Sequence, residues 1–241
     1  MEITPIGDSA LIVRIRDQFE DAPHETLSRV LRVVCCLEKA NIPGIVELAP
    51  AYTTVAVFFD PVAVAHAGSG ADGIYNWLAD RIRAALAADT HHGRHAKTTG
   101  RDSCLVEIPV CYDPEFALDL NDVAQYAQIS PREVIDLHSA AEYHVSCIGF
   151  VPGFPFLSGL PKKLATPRRA TPRKEIPAGS VAIGGAQTGI YPLRSPGGWN
   201  LIGSTPVRLF EPDRNPPTLL RAGDRVRFRV ITQGEFDSLK R

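Results

Sequence analysis

Alternating apolar and polar residues predict strands at two places in the first 60 positions. Residues 3–15 read as a strand with a turn inside it at Gly7-Asp8-Ser9. Residues 45–59 predict two strands that are divided at Pro50-Ala51. Because alternate side chains of a strand point to the same side, the second of these strands presents one apolar face, made of Val55, Val57 and Phe59.

Two further stretches carry apolar residues at spacings of three and four, which predicts helices with one apolar face. They cover residues 24–40 and 73–88. The resulting order, β-α-β-β-α, predicts a small α+β sandwich over residues 1–95, with helices on one face of an antiparallel sheet.

A polar stretch without periodicity, residues 89–102, predicts a linker between two domains. Its three histidines, His91, His92 and His95, have a spacing that could hold a metal ion on a rigid helix. A linker that contains glycine is not rigid, so we predict no metal site there.

Residues 101–241 predict a second domain that is mainly β. A strand over 104–110 is followed by a helix over about 120–128. A second helix starts at Ser130-Pro131-Arg132-Glu133, where Ser-x-x-Glu forms a capping box and proline takes the first helical position. From Tyr143 on, short apolar pieces alternate with glycine and proline, which predicts a closed or sandwiched β domain.

The composition mainly excludes classes of partner and location. The net charge of −1 gives no global attraction to nucleic acid or to a membrane surface. Neither an apolar run of about 18 residues nor a signal peptide is found, so we expect a cytoplasmic protein. The five cysteines include no C-x-x-C pair and are expected to be small buried residues. The alternative concerns Cys147, which precedes an unusual loop and could instead be a nucleophile.

Charge locates the candidate site. Between Tyr143 and Phe210 there are eight basic residues and one acid, Glu175, together with ten of the 19 glycines. Glycine lets backbone N–H groups approach a ligand, and Arg or Lys neutralises an anion. We therefore predict a phosphate or carboxylate ligand, with Lys162 and Lys163 as part of the solvated surface.

Four segments of this stretch stand out: 149–157, rich in Phe, Gly and Pro; 167–173, with three arginines between prolines; 184–192, a glycine-rich turn; and 195–200, Ser-Pro-Gly-Gly-Trp-Asn. Their convergence would form a binding pocket. Phe150 is expected to be a core residue. The predicted anion- or substrate-binding residues are Phe154, Arg168, Lys174, Gln187, Thr188, Tyr191, Ser195, Gly197, Gly198, Trp199 and Asn200.

Residues for acid–base chemistry are few. We name His138, Arg169 and Arg173 as the candidate catalytic residues, with His144 as a second histidine in the region. The chain contains no Walker A loop, no G-x-S-x-G elbow and no H-E-x-x-H motif. The residues alone therefore predict an anion-binding β domain, but not a reaction.

The same segments resemble a known family. Gly149-Phe150-x-Pro152-Gly153-Phe154-Pro155, the run from Pro177 to Pro192, and Ser195-Pro196-Gly197-Gly198-Trp199 are similar to the KipI family, which also includes allophanate hydrolase subunit 1 and the B subunit of 5-oxoprolinase. Gly7-Asp8-Ser9-Ala10-Leu11 extends the resemblance to the N-terminus.

The resemblance implies an α+β N-terminal domain and a C-terminal cyclophilin-like β-barrel. It also implies a complex with a KipA-like protein and a LamB/YcsF-like protein as the two other 5-oxoprolinase subunits, in which this chain is inactive alone. The complex would convert 5-oxo-L-proline to L-glutamate with hydrolysis of ATP, with Mg²⁺ as the expected metal of the nucleotide.

Two alternatives stay open at this point. Some members of the family are described as inhibitors that bind a sensor histidine kinase, and the carboxyltransferase domains of urea-degrading enzymes share the architecture. One departure from the family pattern is Ser204, which stands where the family usually has arginine and so puts one anion contact in doubt.

Overall fold

The structure is a computed structural model that describes residues 1–18, 23–70, 73–90 and 104–240. Its contacts divide the chain into two compact units, Met1–Asp102 and Ser103–Arg241. The predicted linker, with His91, His92 and His95, lies almost entirely outside the described residues. None of the described helices is long and apolar enough to cross a membrane.

The first unit is a four-stranded antiparallel sheet, in the order β1-β2-β4-β3, with helices packed on one face. Its elements are β1 (Glu2–Ile6), β2 (Ala10–Arg14), α1 (Pro23–Ala40), β3 (Ile45–Ala51), β4 (Thr54–Phe59), α2 (Pro61–Val64), a short π-helical segment (Ala65–Ser69) and α3 (Ile74–Thr90).

The core of the first unit follows the sequence pattern closely. Val55, Val57 and Phe59 on β4 are buried, as predicted, and they face buried leucine and isoleucine side chains of the two long helices. The turn position was predicted wrongly: Pro50 and Ala51 lie inside β3, opposite Val55 and Thr54. The chain reverses after them, at Tyr52, whose φ is +49°.

The second unit, over 104–240, contains a closed barrel of seven strands, in the order β6-β13-β5-β12-β9-β10-β7, with β7 paired back onto β6. The strands β5 and β13 run parallel, and the other neighbours are antiparallel. The barrel strands are β5 (Leu105–Cys111), β6 (Glu142–Ile148), β7 (Pro155–Ser158), β9 (Ser180–Gly184), β10 (Gln187–Ile190), β12 (Asn200–Ser204) and β13 (Arg225–Ile231).

Helices and a small ribbon complete the second unit. The helices are α4 (Leu120–Ala127), α5 (Pro131–Ala140), a short 3₁₀ helix (Lys162–Leu164) and α6 (Gln233–Leu239), and the ribbon pairs β8 (Arg173–Ile176) with β11 (Ser195–Gly197). The capping box at Ser130 is confirmed: its hydroxyl accepts from the Glu133 N–H, and the Glu133 carboxylate accepts from the Ser130 N–H. A second capping box, Thr232 with Glu235, begins α6, a helix that was not predicted from the sequence.

Candidate functional site

The structure brings the four glycine- and proline-rich segments together around one cluster of aromatic side chains. Phe154 lies at its centre, with its ring centroid 5.1 Å from that of Tyr191 and 5.6 Å from that of Trp199, both edge-on. Phe156 adds a tilted contact with Phe154 at 4.8 Å. Edge-to-face contacts at these distances are favourable, so the cluster is a small second core beneath the surface of the barrel.

Two phenylalanines of the first segment exchange the positions expected from the sequence. Phe154, predicted to wall a pocket, is buried with 2% of its surface exposed. Phe150, predicted to be a core residue, is 60% exposed and has a φ of +68°. A positive φ is uncommon for a bulky residue, so the exposed position of Phe150 is accompanied by an unusual backbone conformation.

Trp199 is one of the predicted binding residues, but its indole ring is largely covered by other parts of the chain. A Cβ on Gly184 would lie only 2.5–2.6 Å from three atoms of the indole ring, so the bare backbone of Gly184 is pressed against the ring. The guanidinium carbon of Arg168 lies 5.7 Å from the ring centroid. With 5% of its surface exposed, Trp199 is a structural support for Arg168.

The segment Pro167–Arg173, called here the arginine loop, is tied down by backbone contacts. The Arg169 N–H donates to the Gly198 carbonyl at 2.8 Å. The buried Asn200 amide donates to the carbonyls of Pro167 at 2.9 Å and Ile183 at 3.2 Å, which joins the loop to the barrel. The predicted site residues Gly198 and Asn200 therefore position the loop.

A buried carboxylate, Asp119, anchors two arginines of this loop. Arg173 donates to both of its oxygens, at 2.7 and 2.8 Å, and Arg169 donates to Oδ1 at 2.6 Å. The Leu201 N–H completes the set with a 2.7 Å bond to Oδ2. The Asp119 side chain is 2% exposed, so these are charge-assisted hydrogen bonds in a largely dehydrated place.

The arrangement leaves a net positive charge at the loop. Two guanidinium groups share one close carboxylate, and the second nearby acid, Asp122, lies 3.9 Å from Arg169 and is 68% exposed. The bonds to Asp119 use one N–H of Arg169 and two of Arg173, and these side chains are 33% and 23% exposed. A guanidinium group carries five N–H donors, so both arginines keep donors that Asp119 does not use. The Nε of Arg169 is not one of the accessible donors, because it is buried without a hydrogen-bond partner.

Sequence reasoning missed Asp119. In sequence it is an acid between two leucines at the start of α4, 50 or more positions from its arginine partners. That pattern indicates a helix N-cap, although its side chain makes no capping bond. The available signal was the excess of arginine in the loop, which requires a counter-charge wherever it is partly buried.

Tyr191 and Ser195 lie on the inner side of the same region. Burial raises the pKa of the Tyr191 phenol, an effect that the Trp199 backbone N–H and the charges of Arg168 and Arg173 partly offset. The Tyr191 hydroxyl packs so closely against Gly197 that a side chain there would collide with it. The Ser195 hydroxyl is buried without a hydrogen-bond partner.

His138 and Thr188 lie apart from this region, inside the barrel. The Thr188 hydroxyl donates to the Ala182 carbonyl at 3.0 Å, so it accepts from the Nε2–H of His138 at 2.9 Å. The Nδ1 atom of His138 then accepts from the Tyr112 hydroxyl at 2.8 Å. The ring also stacks on Phe228 at 4.5 Å, and every polar atom of the imidazole is satisfied.

These contacts correct two site predictions. His138, expected at a helix edge as a catalytic residue, has no exposed surface, and burial lowers its pKa to about 3. Thr188, expected to bind an anion, is equally buried and uses its hydroxyl within the protein. Both residues join α5 to the barrel strands, which is a structural role.

The remaining candidate residues differ in their solvent exposure. Lys162, Lys163 and Lys174 are exposed, Gln187 is half-buried, and Cys147 is 4% exposed on β6. Ser204 is buried on β12, paired with Ser180 and Cys111.

Two surface hollows of about 330 Å³ each lie away from the arginine loop, one lined by residues between 208 and 214 and one by residues between 229 and 239. Among the described residues there is no group of three or more His, Cys, Asp or Glu side chains that could hold a metal ion.

Comparison with known proteins decides the family. The family described as carboxyltransferase domain, subdomain C and D, matches residues 1–220. The chain belongs to this family.

Among its curated relatives, the B subunit of 5-oxoprolinase from Bacillus subtilis is 42% identical over 99% of this chain and 96% of the relative. The protein of the same name from Escherichia coli O157:H7 is 38% identical over 92% of this chain and 93% of the relative. The predicted resemblance to the family of KipI and the 5-oxoprolinase B subunit is thereby confirmed.

A third relative with that name, from Haemophilus influenzae, is 52% identical over 63% of this chain and 66% of its own length. The solved structure of TTHA0988 is 35% identical with a TM-score of 0.71, and this chain covers 40% of it. PH0987 from Pyrococcus horikoshii is 36% identical over 98% of this chain and all of its own length, with a TM-score of 0.54. The Kluyveromyces lactis urea amidolyase, at 18% identity and a TM-score of 0.69, shares the fold.

Proposed function

We propose that this chain is one component of an ATP-dependent 5-oxoprolinase, which converts 5-oxo-L-proline to L-glutamate with hydrolysis of ATP. The observation that carries the proposal is the 42% identity to a 5-oxoprolinase B subunit over nearly the full length of both chains. Two more relatives of the same name support it.

The reaction requires stabilisation of negative charge. A lactam is a stable amide. Transfer of the ATP γ-phosphoryl group to its oxygen, with ADP as the leaving group, would make the ring carbon a better electrophile for water. After water adds, loss of phosphate and cleavage of the ring C–N bond would give glutamate. Such a transfer depends on cations near the phosphoryl oxygens. The arginine loop could meet this need, because Asp119 holds two partly exposed arginines in place and uses only three of their N–H groups.

We assign the roles of the loop residues accordingly. Arg169 and Arg173 are the proposed anion-binding residues that act through a fixed geometry, and Asp119 positions both of them. We propose that a partner protein of the complex completes the pocket for 5-oxoproline or ATP at this loop. Mg²⁺ would arrive there bound to ATP.

The same proposal extends to the partners, the type of barrel and the location of the protein. A KipA-like protein and a LamB/YcsF-like protein are the proposed partners, the barrel is proposed to be cyclophilin-like, and the cytoplasm is the proposed location. The test is co-purification of the chain with these two partners, followed by an assay of ATP-dependent glutamate release. We expect activity from the assembled complex and none from this chain alone, and turnover of 5-oxoproline by the isolated chain would contradict the proposal.

In the assembled complex, Arg173→Ala should lower turnover roughly 100-fold, the size typical for losing one donor to a developing negative charge. The variant should still fold, because Asp119 keeps Arg169 and the Leu201 N–H as partners. Arg132→Ala is the matched control, since Arg132 is a 78% exposed arginine that pairs with Asp136 on α5. Equal rates for both variants would show that the arginine loop takes no part in the reaction.

A further inference from the structure

Arg168 differs from the other arginines of the loop in having no acidic partner. Arg169 and Arg173 both pair with the buried carboxylate of Asp119. Arg168 is exposed, and no carboxylate of the described residues lies within ion-pair range of it. The positive charge of Arg168 is therefore not compensated within the part of the chain that the structure describes.

Trp199 holds this charge in a defined place. The guanidinium carbon of Arg168 lies 5.7 Å from the centroid of the indole ring. The ring itself is fixed, because Phe154 and Phe156 contact it edge-on at 5.6 and 5.9 Å and the bare backbone of Gly184 is pressed against it. A cation is attracted to the face of an aromatic ring, and a donor that is already in place loses less conformational freedom on binding. Arg168 is thus preorganised for a ligand.

The three arginines of the loop are attached to one short stretch of backbone, residues 197–199. Because consecutive Cα atoms are about 3.8 Å apart, the ends of this stretch lie no more than about 8 Å from each other. Each arginine contacts a different residue of it: Arg173 pairs with Gly197 in the β8–β11 ribbon, the Arg169 N–H donates to the Gly198 carbonyl at 2.8 Å, and the Arg168 guanidinium lies over Trp199.

Tyr191 supplies independent support for the convergence of these charges. Burial raises the pKa of its phenol, and the charges of Arg168 and Arg173 act against this rise. Both guanidinium groups therefore lie within electrostatic reach of one hydroxyl. Since Arg173 also shares the oxygens of Asp119 with Arg169, the three cations surround one place.

The net charge of this place depends on Arg168. The two guanidinium groups of Arg169 and Arg173 and the one carboxylate of Asp119 leave a net charge of +1, and Arg168 raises it to +2. Asp122 offsets little of this charge, because it is 68% exposed, 3.9 Å from Arg169 and screened by solvent. A terminal phosphoryl group carries about −1.5 to −2 charges near pH 7, whereas a carboxylate carries a single charge. The charge with Arg168 therefore matches a phosphoryl group.

We propose that Arg168 is a further anion-binding residue of this site and determines its specificity, so that the arginine loop receives the phosphoryl group and not the carboxylate of 5-oxoproline. This assignment rests on the proposed function, in which ATP is the source of the phosphoryl group. Arg169 and Arg173 alone would serve either anion. Arg168 supplies the second positive charge, which only the phosphoryl group can use.

The first test measures turnover by the assembled complex and its inhibition by inorganic phosphate, a product of the reaction. Arg168→Ala should lower kcat and weaken the inhibition by phosphate, each roughly 30-fold, as expected for a lost hydrogen bond between charged groups. The KM for 5-oxoproline should change by less than about twofold, because the carboxylate binds elsewhere. Arg168→Lys should recover most of both losses, because lysine keeps the charge.

Arg194→Ala is the matched control. Arg194 is 71% exposed and already pairs with Glu175, so its loss should leave kcat, KM and phosphate inhibition within about twofold of the wild type. A higher KM for 5-oxoproline in Arg168→Ala, with unchanged inhibition by phosphate, would assign the loop to the carboxylate and overturn the inference. Wild-type values of all three quantities in Arg168→Ala would overturn it as well. In either case, turnover by the wild-type complex would leave the proposed function intact.

If the wild-type complex showed no turnover, the proposed function would fall, and the isolated chain would decide the inference. A bound anion stabilises the folded chain by mass action, so phosphate should raise the thermal midpoint of the wild type more than that of Arg168→Ala at equal ionic strength. The general effect of phosphate on protein stability is the same in both chains and cancels. Acetate, with its single charge, should shift both midpoints equally. Equal shifts with phosphate would overturn the inference too.

Discussion

Two polar clusters in the second unit differ in how completely they are satisfied. The His138 cluster lies inside the barrel, is electrically neutral, and gives each of its donors and acceptors a partner. The Asp119 cluster combines one buried carboxylate with two partly exposed guanidinium groups, and its bonds to Asp119 use only three of their N–H groups. The first has no capacity left for a ligand, whereas the second has both charge and donors to offer.

This difference between the two clusters indicates which part of the barrel can bind a ligand. A fully satisfied neutral network specifies the packing of the core, and adding a ligand would break it. A charged cluster with an excess of cations is stable enough to hold its shape and still gains from an added anion. Histidine was the more obvious catalytic candidate by residue type, yet it belongs to the structural cluster.

The largest expected effect on this comparison comes from the substitution Asp119→Asn. The substitution keeps the shape but removes the charge that two half-buried guanidinium groups share, and such a loss costs about 3–4 kcal/mol of unfolding free energy. Denaturation by urea measures it. Asp122→Asn is the control, because Asp122 is 68% exposed and lies 3.9 Å from Arg169. If both variants lost the same small amount, the Asp119 cluster would not hold the arginine loop.

Acid should affect the His138 cluster next most strongly. Burial lowers the pKa of His138 to about 3, whereas the unfolded imidazole titrates near 6.5. The unfolded chain therefore binds the proton first, and stability falls as the pH drops from about 6.5 towards 3. The loss amounts to about 1.4 kcal/mol per pH unit, or about 2 kcal/mol by pH 5.

Urea denaturation between pH 7 and pH 5 checks this, with His138→Gln as the reference. Glutamine does not titrate, so the variant should be less stable at pH 7 but should lose less stability on acidification. Carboxyl groups titrate in both proteins and cancel in the comparison. Parallel pH dependences in the two proteins would show that His138 is accessible to protons in the folded state.

Many elements of the fold were predictable because they rest on local pattern, although α6 was missed. The helix at Ser130 carries its own capping box and proline, and the apolar alternation at Val55–Phe59 marks a buried strand face. The turn at Tyr52 was missed because proline at position 50 is a turn signal in sequence, whereas in the structure Pro50 is a strand residue. Closure of the barrel depends on pairing between distant strands such as β5 and β13, which no local pattern encodes.

The candidate site was predictable as a set of segments, but not in its detail. Gly184 and Gly197 belong to two of the predicted segments, and in the structure their lack of a side chain lets Trp199 and Tyr191 pack closely. Phe150 is exposed and has a positive φ, which its residue type does not predict, whereas Phe154 is buried. The role of Asp119 rests on a contact with Arg169, 50 positions away in sequence. The excess of arginine predicts that an acidic partner exists, but it does not predict which residue this partner is.

The smallest expected effect separates two neighbouring arginines. Arg168→Ala should change the free energy of unfolding by no more than about 0.5–1 kcal/mol, since an exposed cation over an aromatic ring contributes little. Arg169→Ala removes a 2.6 Å bond to a buried carboxylate and should cost about 2 kcal/mol. Urea denaturation of both variants in the isolated chain gives the comparison. Equal losses would mean that Arg168 also serves the fold, and the distinction between a structural and a free cation in the arginine loop would no longer hold.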